Sequence, residues 1–137
     1  MKKDSSLGMG KSFLLFIIAF GLLVTTAPIG FLYALIRQTF FSKTKPLRIF
    51  LVEVALALDV AGNVMMQHLL NDTLLVKNPN TYYFGNPQET ISSVIGKNSL
   101  TQTLSFLGIA LNGFLNVLDK NHSLNSIIYD LKAWWRR

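Results

Sequence analysis

Hydrophobic and polar positions divide this chain into two territories. From Ser12 to Ile36 the sequence SFLLFIIAFGLLVTTAPIGFLYALI carries no charge, and at about 25 residues it exceeds the roughly 20 that a helical membrane span needs. This run predicts a transmembrane helix over 12–36, behind a basic tail at 1–11. A cleaved signal peptide is the rival, because Lys2, Lys3 and Lys11 resemble its charged leader. Against that rival, the apolar run continues past the length of a signal's hydrophobic region, and its small-residue site, Thr25-Thr26-Ala27, is followed by Pro28. Pro28 is expected to kink or loosen the helix, with the Thr25 and Thr26 hydroxyls at hand to compensate.

From Pro46 onward, apolar and polar positions alternate at helical spacing, which predicts a helical membrane-associated module over 46–137. Lys45-Pro46 marks a helix start. The helix over Pro46 to Asn71 carries Asp59, Asn63 and Gln67 at every fourth position, with Glu53 near the same side. Such a stripe on an apolar body predicts an amphipathic helix lying on a membrane or packed in a bundle. Asn78-Pro79-Asn80 signals a turn in a loop that ends with Tyr82-Tyr83-Phe84. Those tyrosines suit either headgroup depth or a cover over the helices. Asn86-Pro87-Gln88-Glu89 then reads as a helix start with Asn86 as cap and Glu89 completing a capping box, and Gly96 as that helix's end. A further helix over Leu100 to Leu118, a candidate to dip into the membrane, gathers Thr101, Ser105, Gly108, Asn112, Asn116 and Asp119 into one stripe. The last helix, Leu124 to Arg137, ends in Trp-Trp-Arg-Arg, which suits a membrane interface. The predicted fold is therefore all-α, with one N-terminal transmembrane helix followed by a small bundle of amphipathic or interfacial helices, and no sheet.

Composition agrees with this pattern. The chain has 137 residues, of which 50% are hydrophobic and 15% charged, against about 25% charged in an average soluble domain. There is no cysteine, so disulfides and thiolate metal sites are excluded. The net charge of +6 could suggest nucleic acid. The basic residues, however, flank the apolar segments, as at Lys2, Lys3, Lys11, Arg37, Lys43, Lys45 and Arg48, and no nucleic-acid recognition motif is present. A lipid bilayer is the expected partner, and the positive charge after the span favours a cytoplasmic C-terminal part.

Chemistry could reside in the polar stripes. Asp59, Asn63 and Gln67 on one helix and Ser105, Asn112 and Asn116 on another would pair if the two faced each other, since a buried unsatisfied polar group costs about 1–3 kcal/mol. Gly62 and Gly108 would allow the close approach such a helix-packing seam needs. The alternative is a catalytic or ion-binding cleft built from Asp59, Glu89, Asp119 and His122, because carboxylates and histidine together bind a metal or relay a proton. Asp119 and His122 are the metal-ligand candidates at a helical spacing of three, although Asn121 as a cap would break the shared face. Glu89 has a structural role in its capping box, and His68 reads as exposed polar surface. Ser92-Ser93 lacks the frame of a nucleophile elbow. Gly8-Met9-Gly10 precedes a span rather than following a strand, so no dinucleotide site is predicted. Asn71-Asp72-Thr73 and Asn121-His122-Ser123 match glycosylation sequons, a common chance match. No cofactor is expected.

Three motifs resemble a family of small uncharacterised proteins encoded by tailed phages and prophages. They are Ala57-Leu58-Asp59 with Gly62-Asn63; Gly85-Asn86-Pro87-Gln88-Glu89-Thr90-Ile91-Ser92-Ser93 with Gly96-Lys97; and Leu118-Asp119-Lys120-Asn121-His122 with Asn125-Ser126-Ile127. The likeness covers roughly Pro46 to Tyr129. The family's central motif resembles G-D-P-D-E-T-I-S-S-R-x-G-K, with a His-Cys pair after the later aspartate. Here Asn86 and Gln88 stand at the acidic positions, Val94 at the arginine and Ser123 at the cysteine, and the Asn71 to Phe84 segment is inserted. These departures weaken a metal or nucleophile site. What the resemblance implies is a phage or prophage origin, and it carries no activity with it. The expected function is a non-enzymatic accessory role in lysis, the virion or the host membrane. The protein would sit in the bacterial inner membrane and act by packing with itself or another membrane protein. The alternative is a membrane-associated metal-dependent hydrolase.

Overall fold

The structure is a computed structural model that describes residues 8–40 and 47–127. It is all-helical, with one long apolar N-terminal helix followed by shorter ones: α1 (Met9–Phe40), α2 (Leu47–Met65), α3 (Gln67–Leu74), α4 (Ile91–Leu100) and α5 (Phe106–Leu118). No strand occurs among the described residues, where a single antiparallel bridge joins Leu75 to Leu104. The chain divides into two compact units, Met1–Leu51 and Val52–Arg137.

In the first unit α1 runs for 32 residues and buries none of them. It extends the expected 12–36 span at both ends and is long and apolar enough to cross a membrane. The helix continues unbroken through Pro28, whose missing N–H leaves the Val24 carbonyl without its usual partner. The nearby hydroxyls do not take up that carbonyl: Thr25 Oγ1 donates to Gly21 O at 2.7 Å and Thr26 Oγ1 to Leu22 O at 2.7 Å.

In the second unit α5 packs on α3 and α4. The core is small: Leu70, Leu74, Leu75, Phe84, Val94, Ile95 and Leu104, with Ile91, Leu111 and Leu115 against it. Close packing explains two glycines. A Cβ on Gly96 would collide with the Ser123 carbonyl oxygen, and one on Gly108 with the Leu74 carbonyl oxygen.

Element boundaries depart from expectation in three places. The single helix over Pro46 to Asn71 is two, α2 and α3, broken at Met66 and bent by 79°. The helix expected to start at Asn86 and end at Gly96 instead runs from Ile91 to Leu100. Its cap is Thr90, whose Oγ1 accepts the Ser93 N–H, and Gly96 lies in its middle. The helix expected from Leu100 starts at Phe106, because Gln102 adopts a positive φ of 56° and ends α4, and the chain then crosses through the Leu75–Leu104 bridge. Ser105 caps α5 by accepting the Gly108 N–H at 3.2 Å. Of the last helix, expected over 124–137, residues 122–127 are helical, and the remainder lies outside the described residues.

Candidate functional site

The polar stripe of α2 does not face the stripe of α5. It faces the connection between α3 and α4, whose non-helical backbone would otherwise be buried with open donors and acceptors. Asn63, completely buried, donates through Nδ2 to Asn86 O at 2.9 Å and Glu89 O at 2.8 Å, and accepts the Gly85 N–H at 3.0 Å. One helical turn earlier, Asp59 Oδ1 accepts the Ile91 N–H at 3.0 Å and Oδ2 the Ser92 hydroxyl at 3.0 Å. Asp59 is thus a tertiary cap on α4, where a carboxylate meets open N–H groups at the positive end of the helix. On α3, Asn71 takes both backbone groups of Phe84, accepting its N–H at 2.8 Å and donating to its carbonyl at 3.2 Å. Gln67 breaks the series. Its Nε2 donates back to Val64 O at 3.0 Å across the helix break, and its side chain lies against Gly85, which holds a φ of +119° that L side chains rarely adopt.

From the other side, the fully buried Asn98 of α4 grips the same connection. It accepts the Tyr82 N–H at 3.0 Å and donates to Tyr82 O at 2.7 Å and Val94 O at 2.8 Å, while Thr103 donates its hydroxyl to Oδ1 at 2.5 Å. Four side chains on three helices therefore hold the segment from Tyr82 to Ile91 by its backbone. Sequence reasoning missed Asn71 and Asn98. Asn71 is the fourth member of the every-fourth-residue series, a signal that was there to be read, whereas Asn98 sits in a polar run with nothing to mark it.

The α5 stripe serves a separate join. Asn112 donates to Ser99 Oγ at 3.2 Å and accepts the Ser123 hydroxyl at 2.5 Å, tying α5 to α4 and to the helical residues 122–127. Ser105 donates to Thr73 O at 2.6 Å, while Asn116 is exposed. The expected single seam of facing stripes is thus two separate sets of bonds, that of α2 on the connection leading into α4 and that of α5 on α3, α4 and Ser123.

The four residues proposed for catalysis are not assembled. Asp59 caps α4. Glu89 accepts from Lys97 Nζ at 2.6 Å and from Asn86 Nδ2 at 3.2 Å, and Lys97 also lies 5.6 Å from the centre of the Tyr82 ring. Instead of completing a capping box, Glu89 closes a turn in which Asn86 Oδ1 accepts the Gln88 N–H at 3.1 Å. Asp119 ends α5, and its carboxylate stands 3.3 Å from His122 Nδ1 as an exposed pair. Asn121, with a φ of 59°, turns the chain between them. Among the described residues no three acidic, histidine or cysteine side chains come together as a metal site. His68 is exposed.

No family model, no curated protein and no solved structure matches this chain.

Proposed function

We propose that this chain is a small integral membrane protein of the bacterial inner membrane that serves as a phage or prophage accessory factor, in lysis, the virion or the host membrane. It acts by helix packing rather than by catalysis. The observation that carries this reading is the employment of the polar side chains. Asp59, Asn63, Asn71 and Asn98 are spent on the backbone of one connection, and Glu89 on a lysine. The exposed surface of α1 and α5, meanwhile, is largely apolar, with Asn116 as the exposed polar side chain within α5. A working acid or base needs a free coordination position or a proton it can exchange with substrate, and these groups have been given structural partners. The motif resemblance supports the phage setting, and the uncharged run from Ser12 to Ile36 within α1 supports the membrane.

The test expresses the intact chain in a bacterium and follows the resulting phenotype. Asp119→Asn and His122→Ala are expected to leave phenotype and membrane yield unchanged, while Asn63→Ala loses both. The reading fails if His122→Ala abolishes the phenotype at unchanged yield and purified wild type carries a stoichiometric divalent metal that the variant lacks.

A further inference from the structure

The second unit is built with its polarity partly inverted. Its fully buried side chains include Asn63, Asn98, Thr90, Thr103 and Ser123, whereas asparagine, threonine and serine mostly lie at the surface of water-soluble domains. Its exposed side chains include Phe106 at 84%, Val117 at 84% and Leu118 at 69%. On α5 the inward side mixes apolar, small and polar residues, with Leu111 and Leu115 against the core, Gly108 against α3 and Asn112 bonded to Ser99 and Ser123. At 100° per residue the outward positions from Phe106 through Phe114 to Leu118 cover an arc of about 180° with no polar side chain. A partner helix takes a narrower stripe than that. An arc of this width suits a fluid apolar phase.

Length and flanks fix the orientation. Thirteen residues make a helix of about 20 Å, short of the roughly 30 Å hydrocarbon core, so α5 does not span. Both ends carry exposed polar residues, Gln102 before it and Asp119, Lys120 and Asn121 after it, which suits headgroup level at both. The same chain carries α1, a helix long and apolar enough to cross a membrane.

We propose that α5 lies in the plane of one leaflet, with its Phe106–Phe114–Val117 side in the acyl chains. The second unit is then a lipid-seated module whose hydrogen-bonded interior faces away from the bilayer. This rests on the membrane reading of α1 given above, and the experiment separates the two. The chain has no cysteine, so single-cysteine variants of the full-length protein take a bimane label at one site each. Phe106→Cys, Phe114→Cys and Val117→Cys are compared with Leu23→Cys in α1 and Asn80→Cys in the exposed turn. All are reconstituted in phosphatidylethanolamine and phosphatidylglycerol vesicles containing doxyl-labelled lipid, with iodide as the aqueous quencher. The three α5 sites are expected to lose emission to the lipid quencher as Leu23→Cys does, to resist iodide, and to report the same depth as one another. Quenching by iodide at the level of Asn80→Cys overturns the proposal. Unequal depths at Phe106→Cys and Val117→Cys overturn the in-plane seating. Protection from both quenchers, with a disulfide forming between two unlabelled Val117→Cys copies on copper–phenanthroline oxidation, overturns it in favour of self-association. If Leu23→Cys also escapes the lipid quencher, the membrane reading itself has failed; if Leu23→Cys is quenched and α5 is not, the present inference alone has.

Discussion

Asn63 meets three backbone groups with one carboxamide and has no exposure to solvent. Asn63→Ala strands two carbonyls and an N–H inside the unit, and a loss of roughly 2–4 kcal/mol is expected from the usual cost of unsatisfied buried groups. Asn63→Asp should fare no better, because a carboxylate oxygen would replace the donor that faces the Asn86 and Glu89 carbonyls. Asn116→Ala, at an exposed position, should change stability by less than about 0.5 kcal/mol. Equilibrium unfolding in detergent ranks the three, and equal stabilities for Asn63→Ala and Asn116→Ala would deny the clamp. The period of four from Asp59 through Asn63 to Gln67 was legible in the sequence as a polar stripe. What the stripe holds was not, since helix period gives the direction of a side chain on its own element and says nothing of which backbone it meets.

At the scale of elements, glycines distinguish packed from free helix faces. Gly96→Ala would normally favour a helix interior by up to about 1 kcal/mol, yet here the added methyl meets the Ser123 carbonyl. It should therefore destabilise the unit and loosen the 122–127 segment, detected as faster amide exchange at Ser126, whose hydroxyl donates to His122 O. Gly113→Ala on α5 meets nothing within 4 Å and should stabilise by about 0.5–1 kcal/mol. The opposite signs are the test, read by thermal unfolding. Thr90→Ala should cost about 1 kcal/mol as loss of the α4 cap; Asn86→Ala, which opens two exposed bonds within a turn, should cost less. Sequence cues put the start of α4 at Asn86, because Asn-Pro-x-Glu fits a capping box, but Asn86 and Glu89 instead close a turn held by Asn63 and Lys97. The break at Met66 left no trace in Val64-Met65-Met66, which holds neither proline nor glycine. It is set by tertiary contacts that local pattern does not encode.

For the whole molecule, the helical class and the long apolar N-terminal helix were legible because both depend on composition and period over many residues. The small core of the second unit was not, because half of the side chains it buries are polar, which a hydrophobicity pattern counts as surface. The central claim is that the intact chain is held in a membrane by α1. It is tested most directly by mass spectrometry of bacterial membranes washed with alkaline carbonate after the chain is expressed. The expected result is the full-length 15.4 kDa protein in the washed membranes, because an uncharged run of this length inserts rather than adsorbs. Its release into the wash, or a shorter species beginning after Ala27, would contradict the claim.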